Sequence, residues 1–285
     1  ARLWSSAKGI LLREGPFMSN LSPDHILNTA HAMADAARAV ILPYFRRHDL
    51  VADNKLSSGF DPVTEADRAA EKAMREILAN AQPEDGILGE EFGEIAGQSG
   101  YRWVLDPIDG TRGFISGTPT WGVLIALEQM DHGPVFGMID QPYIGERFWG
   151  GLGFAQMSGP HGNGALQVRG TKSLSDATIF TTFPEVGSAL EARAFHAVAE
   201  RARLTRYGMD CYAYALLAAG QIDLVIEAGL NAYDIQAPIA VIQAAGGVVT
   251  DWTGGAAHMG GRVVAAATPE LHAEAMSILK EVTQE

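Results

Sequence analysis

The chain has 285 residues, 47% hydrophobic and 19% charged, as in a globular protein of one or two units with a sizeable core. Its formal net charge of -13 speaks against nucleic acid as the main partner, because phosphate backbones recruit Lys and Arg, and no run reaches the roughly 20 apolar residues of a membrane span. The single cysteine, Cys211, excludes a disulfide framework, fits a reducing, cytoplasmic compartment, and lies in an apolar stretch that makes it a core residue more than a nucleophile.

Residues 1–17 show no lasting periodicity and lack the apolar core of a secretory signal. They are expected to be a foreign remnant or an upstream extension, outside the fold. Ser22-Pro23-Asp24 opens a helix, with a cap residue and Pro at the first position. Ile26, Ala30, Met33, Ala37, Val40 and Ile41 then repeat at helical spacing to about Tyr44. Lys55 sits in a polar loop, a solvated lysine or one that reaches over a phosphate. Thr64 and Asp67 have the spacing of a capping box, and Ala69, Ala70, Ala73, Met74, Ile77 and Leu78 give the following helix its apolar stripe. Asp67 either caps that helix or accepts a hydrogen bond from Thr111 and so polarises an attacking water.

Ile87-Leu88-Gly89-Glu90-Glu91 is a short apolar run closed by two carboxylates. It is either an exposed acidic turn or the place where Glu90 joins a metal site. Tyr101 to Leu105 reads as a buried strand and ends in Asp106-Pro107-Ile108-Asp109-Gly110-Thr111. Two carboxylates three positions apart at the end of a buried strand need a reason, because unpaired buried charge is costly. A hard cation supplies one, since Mg2+ takes oxygen ligands and keeps room for a substrate phosphate. Asp106 and Asp109 offer carboxylates and Ile108 its carbonyl. Gly110 lets a ligand approach the backbone, and Thr111 can cap a helix whose N-terminus suits phosphate.

Trp121 to Leu127, Val135 to Ile139 and Glu146 to Trp149 read as successive strands. Residues 150–175, rich in Gly, Ser and Pro, are expected to separate an N-terminal half, 18–160, from a C-terminal half, 161–285. That second half alternates strands and helices, which means a layered α/β arrangement. In it Asp210 precedes a helix from Cys211, Glu227 ends a strand, and Asn231 and Asp234 precede a helix from Ile235. Asp234 is either that helix's N-cap or a metal ligand brought in from the second half.

Gly89-Glu90-Glu91, the run Asp106 to Thr111, Tyr233-Asp234 before an apolar helix, and Gly246-Gly247 together resemble the inositol monophosphatase family, Mg2+-dependent, lithium-sensitive phosphatases of small molecules. Order and spacing agree from about residue 23 to the end. The resemblance implies a five-layer α-β-α-β-α sandwich, usually a homodimer. It implies two or three Mg2+ held by Glu90, Asp106, Asp109, Asp234 and the Ile108 carbonyl, with Thr111 and Asp67 orienting the water, helped by Glu90. Paired metals suit such hydrolysis, because they neutralise charge on both the attacking and the leaving oxygen.

Within the family, Asp109 to Gly117, Pro119 to Gly122, Gly208 to Tyr214 and Val249 to Trp252 are most similar to the histidinol-phosphate phosphatases of histidine biosynthesis. Inositol phosphatases usually carry Thr and Asn where this chain has Arg112 and Gly113, and bisphosphate nucleotidases usually have Leu at Ile108. Histidinol phosphate carries an ammonium and an imidazole, so its pocket should offer acceptors. Asp210, Glu227 and Asn231 are the candidates, beside Gly110 and Thr111; the matching family position makes Glu227 a substrate contact. An inositol ring or a 3′(2′),5′-bisphosphate nucleotide remains the alternative substrate.

Overall fold

The computed structural model describes residues 22–50, 52–54 and 62–284; the expectations for residues 1–17 and for Lys55 lie outside them. The first helix, α1 (Pro23–Ile41), buries Ile26, Ala30, Met33, Ala37 and Ile41 at helical spacing. A two-stranded ribbon, β1 (Ala52–Asn54) and β2 (Pro62–Thr64), leads into α2 (Glu65–Ala81). Thr64 and Asp67 form the expected capping box. The face that α2 buries is Ala66, Asp67, Ala70, Glu71, Met74 and Leu78, so two acids lie one turn apart where the apolar stripe alone suggested alanines.

An eight-stranded sheet follows, built from β3 (Gly86–Gly89), β4 (Gly93–Ile95), β5 (Tyr101–Asp109), β6 (Gly122–Gln129), β7 (Gly133–Gln141), β8 (Glu146–Gly151), β9 (Phe154–Gly159) and β10 (Gly162–Ala165), with the short α3 (Thr111–Ile115) after β5. Its order is β10-β9-β8-β7-β6-β5-β3-β4. Only β3 and β5 run parallel. The Gly-rich stretch expected to separate two halves therefore holds two further strands of this sheet. β10 is exposed throughout, and with no buried face it has no alternation to betray it.

The chain then builds a five-stranded sheet from β11 (Thr178–Thr181), β12 (Leu204–Tyr207), β13 (Leu224–Leu230), β14 (Val248–Asp251) and β15 (Gly261–Ala266), in the order β12-β11-β13-β15-β14. Its helices are α4 (Ala189–Ala199), α5 (Asp210–Ala218), α6 (Ala232–Ala244) and α7 (Pro269–Gln284). α6 begins at Ala232 with Asn231 as its N-cap, three residues earlier than the expected start at Ile235. Asp234 is thus its third residue and not its cap.

Side chains alternate between three cores. Trp103, Leu105, Val123, Ile125, Leu127 and Met138 face α1 and α2. Val104, Leu124, Ala126 and Ile139 face the opposite way, and there they meet Ile235, Ile239 and Ile242 of α6 and Val225, Val263 and Ala265 of the second sheet. The far side of that sheet, Ile179, Leu224, Ile226 and Val264, meets Phe195 of α4 and Leu271 and Leu279 of α7. The layers run α1/α2, sheet, α5/α6, sheet, α4/α7, the five-layer sandwich the resemblance implied. No described helix is long and apolar enough to cross a membrane.

Buried between two sheets, α6 is apolar nearly all round, and the first sheet meets it backbone to backbone. A methyl group at Gly137 would lie 2.3 Å from the Ala237 carbonyl oxygen, below any van der Waals contact. Gly137→Ala is expected to cost about 1–3 kcal/mol as overpacking, read as a lower urea midpoint; an unchanged midpoint would mean that α6 can slide along the sheet.

Candidate functional site

The site starts from an irregularity in β5. Side chains of a strand alternate, so positions 106 and 109 of a regular strand point to opposite faces. Here Asp106 pairs with Leu124 and Asp109 with Gly122, three residues against two on β6. The extra residue is a β-bulge, which re-aims the side chains beyond it. Val104 lies in the middle core before the bulge, and Ile108 lies in the α1/α2 core after it. Both acids therefore turn to the middle layer. The Asp106 Oδ1 accepts the Ile108 N–H at 3.0 Å, which closes the turn around Pro107.

The middle layer supplies the third acid. One oxygen from each of Asp106, Asp109 and Asp234 lies within 4.8 Å of the others. Asp109 Oδ2 accepts the Cys211 N–H at 2.7 Å, and Asp234 Oδ2 accepts the Asn231 N–H at 2.6 Å. Glu90 follows β3, and its N–H donates to Leu105 O on β5 at 3.2 Å, so the fourth expected acid stands beside Asp106. Burial drives Asp106 and Asp109 well above the usual carboxylate range. The charges of Glu90, Asp109 and Asp234 add to this at Asp106, and those of Asp234 and Asp210 at Asp109. Burial also raises Asp234 to about 7, against the Asn231 N–H, with Glu90 adding. Asp106 is buried and Asp109, Asp234 and Glu90 are half-buried beside it; such close carboxylates repel one another, and a bound divalent ion inverts that balance. The all-oxygen donor set, with the Ile108 carbonyl beside it, fits a hard cation.

Thr111 and Asp67 are not joined directly. The Thr111 hydroxyl donates to Ile108 O at 3.1 Å, and Gly110, at φ +83°, takes the cap position of α3. Asp67 Oδ2 accepts both the N–H and the hydroxyl of Thr64, at 2.8 and 2.5 Å. The Asp67 Oδ1 is buried and has no hydrogen-bond partner among the described residues. Burial raises Asp67 to about 6 despite Thr64, and the charges of Glu91 and Glu90 contribute. The expected Thr111–Asp67 bond is thus replaced by three local bonds, one from Thr111 and two to Asp67.

The acids line a cleft of about 280 Å3 that Asp210, Glu227 and Asn231 also line. Asp210 is the first residue of α5, after Met209 as the cap position, and holds a left-handed φ of +44°, which costs a non-glycine residue about 1–3 kcal/mol. Its Oδ2 accepts the Thr120 hydroxyl at 3.2 Å, and burial raises it to about 6 against that bond and the charge of Arg112. Glu227, from β13, accepts Thr182 N–H at 2.7 Å and the hydroxyls of Thr182 and Thr181 at 2.9 and 3.2 Å; burial raises it to about 7. Arg112 stacks over the Phe183 ring, 4.9 Å from its centre, and both line the cleft. Cys211 is buried, and burial with the Asp109 charge raises its thiol, which suits a core residue. Thr120, Thr181, Thr182 and Phe183 escaped the sequence reading. Of these only Thr120 lay within a quoted motif, Pro119 to Gly122.

The Inositol monophosphatase family profile matches residues 22–284. A bifunctional phosphatase IMPL2 of the Arabidopsis thaliana chloroplast is 40% identical over 93% of this chain and 80% of its own. The histidinol-phosphatase of Streptomyces coelicolor is 35% identical over 91% of this chain and 99% of its own. A solved inositol monophosphatase from Zymomonas mobilis superposes with a TM-score of 0.79 at 37% identity, covering 92% of this chain and all of that one.

The raised carboxyls make a testable stability signature. A group whose folded pKa lies above its unfolded value stabilises the fold below the unfolded pKa, and that stability is lost as pH climbs through the folded pKa. With Asp67 and Asp210 near 6 and Glu227 and Asp234 near 7, the melting temperature in EDTA is expected to fall between about pH 5 and pH 8. Added Mg2+ is expected to raise it more at pH 8 than at pH 5. A melting temperature in EDTA that rises over this window would mean the acids are not held this close.

Proposed function

The chain belongs to the inositol monophosphatase family, and from that premise we propose that it is a Mg2+-dependent phosphomonoesterase that hydrolyses L-histidinol phosphate to L-histidinol and phosphate. Glu90, Asp106, Asp109, Asp234 and the Ile108 carbonyl are the residues that would hold Mg2+. A carbonyl has two lone pairs, so the Thr111 hydroxyl leaves Ile108 O one to give. When bound, Mg2+ supplies charge neutralisation at the phosphate and a lower pKa for water. The chain does the rest. Thr111 orients the attacking water. Asp67 takes up its proton at Oδ1, the buried oxygen with no other partner among the described residues, at a pKa suited to a base near neutral pH. Gly110, without a side chain, leaves the backbone open to the substrate.

The observation that carries the choice of substrate is the contact between Asp210 and Gly113. A Cβ at Gly113 would press on Asp210 Oδ2 at 3.1 Å and on the Thr118 and Thr120 hydroxyls at 3.0 Å. The Asn usual at this place in inositol phosphatases would press on the Asp210 carboxylate and the two hydroxyls, which would have to give way. Gly113 and Asp210 therefore belong together, and they give the cleft a negative acceptor for a cationic leaving group, as a histidinol ammonium or imidazolium requires. Histidinol-phosphatases among the relatives point the same way. The likeness to solved inositol monophosphatases keeps a second reading open, because Glu227 and Asn231 would serve a polyol equally well.

Phosphate release should be measured side by side on L-histidinol phosphate, inositol 1-phosphate and adenosine 3′,5′-bisphosphate, with Mg2+ and with EDTA. We expect a kcat/KM at least about tenfold higher for histidinol phosphate, about 1.4 kcal/mol in transition-state binding, and no turnover in EDTA. Equal rates on all three would leave the metal chemistry and remove the assigned specificity. Asp210→Asn is expected to lower kcat/KM on histidinol phosphate by roughly tenfold or more while inositol 1-phosphate changes little, since a charge-assisted bond is lost only for the cation. A parallel fall on both substrates would make Asp210 a scaffold for α5.

Asp106→Asn is expected to abolish turnover and leave the circular dichroism spectrum unchanged. Thr111→Ala is expected to lower kcat more than it raises KM, because the hydroxyl acts on the water; an unchanged kcat would return Thr111 to a purely structural bond with Ile108.

A further inference from the structure

Three of the four acids at the centre leave regular elements: Asp106 and Asp109 end β5, and Asp234 lies in the first turn of α6. Glu90 alone sits on a turn, between β3 and β4. A side chain on a turn is aimed only as well as its backbone is held. On the sheet side, the bond from Glu90 N–H to Leu105 O holds it. The opposite side is held by a buried pair on α2.

Glu71 has no exposed surface. Its Oε2 accepts the Glu91 N–H at 2.7 Å and its Oε1 the Phe92 N–H at 3.2 Å. Arg75, one turn further along α2, donates from Nε to Glu71 Oε1 at 2.7 Å and from Nη2 to Gly93 O at 2.5 Å. Carboxylate and guanidinium thus grip the turn at both ends, donors at its start and an acceptor at its close. The fit leaves no slack: a Cβ at Gly89 would stand 1.9 Å from Glu71 Oε1. The glycine preceding Glu90 therefore makes room for the Glu71–Arg75 pair. Glu71 is also one turn from Asp67, on the same buried face, so one helix holds both the open acceptor and the turn that carries Glu90.

We propose that Glu71 is a positioning residue, and that the Glu71–Arg75 pair aims Glu90 at the acid cluster. This rests on the reading of Glu90 as a metal ligand. Removing the carboxylate charge at 71 leaves the part-buried N–H groups of Glu91 and Phe92 with a poorer acceptor and Arg75 without its counter-charge. The turn then relaxes and Glu90 loses its aim, as happens when the partner of a metal ligand is removed.

The test is Mn2+ binding by electron paramagnetic resonance, well below the melting temperature, on the full chain and on Glu71→Gln, Glu71→Asp and Asp106→Asn. We expect Glu71→Gln to raise the Mn2+ Kd by about tenfold or more, Glu71→Asp to fall between it and the parent, and saturating metal to recover most of kcat. A Glu71→Gln protein with a lower melting temperature and an unchanged Kd, beside an Asp106→Asn protein that binds weakly, would overturn the proposal and leave the metal site standing. Unchanged binding in Asp106→Asn would overturn the metal reading itself. If Glu71→Gln does not fold, Arg75→Gln decides, because it keeps the carboxylate and frees Gly93 O: a weakened Kd supports the pair's role and an unchanged one overturns it.

Discussion

One extra residue in β5 governs the rest of the site. A regular strand would send Asp106 to one core and Asp109 to the other, where each would be a lone buried charge. The bulge turns both to the layer that α6 occupies, and there Asp234 completes a cluster. Everything next to the cluster responds to that concentration of charge. Backbone N–H groups from Ile108, Cys211 and Asn231 point at its oxygens, which lowers the cost of burial without neutralising it. The protein holds its acids against their own repulsion because three packed layers leave them nowhere to go.

Much of this was legible in the sequence, for physical reasons that differ by element. The helices announced themselves through apolar spacing and caps, and β5 and β6 through unbroken apolar runs. The acidic motifs were visible because charge at the end of a buried strand is out of place. The bulge was not visible, since an insertion of one residue leaves no compositional trace when Pro107 and Ile108 suit either geometry. β9 and β10 were hidden by glycines and by an exposed face. Asp210 and Asp234 were misplaced by one to three positions relative to their helix starts, because Met209 and Asn231 both serve as plausible boundaries.

Glu71 was hidden for another reason. In one dimension it is a polar residue in a helix rich in charged residues, indistinguishable from the exposed Lys72 and Glu76. Only the packing of α2 against the turn after β3 reveals that it is wholly buried and that Gly89 is shaped to it. The sequence motif Gly89-Glu90-Glu91 thus continues in space onto a helix some 20 residues earlier. Ligands are easier to read than the residues that hold them, because ligands cluster by chemistry and their supports cluster only by fold.

The close contact of Gly113 with Asp210 has a consequence for how such a chain can change over generations. The two positions are nearly 100 residues apart in sequence and compete for the same space. A side chain at 113 presses on the Asp210 carboxylate and the Thr118 and Thr120 hydroxyls, which must then give by a few tenths of an ångström. A path that keeps both sites relaxed passes through an intermediate that is small at both. Selection on a new leaving group therefore acts on the two positions as a pair. The cluster of Asp106, Asp109 and Asp234, set between the two sheets, takes no part in the exchange, so the cleft around Asp210 can change while the cluster stays where it is.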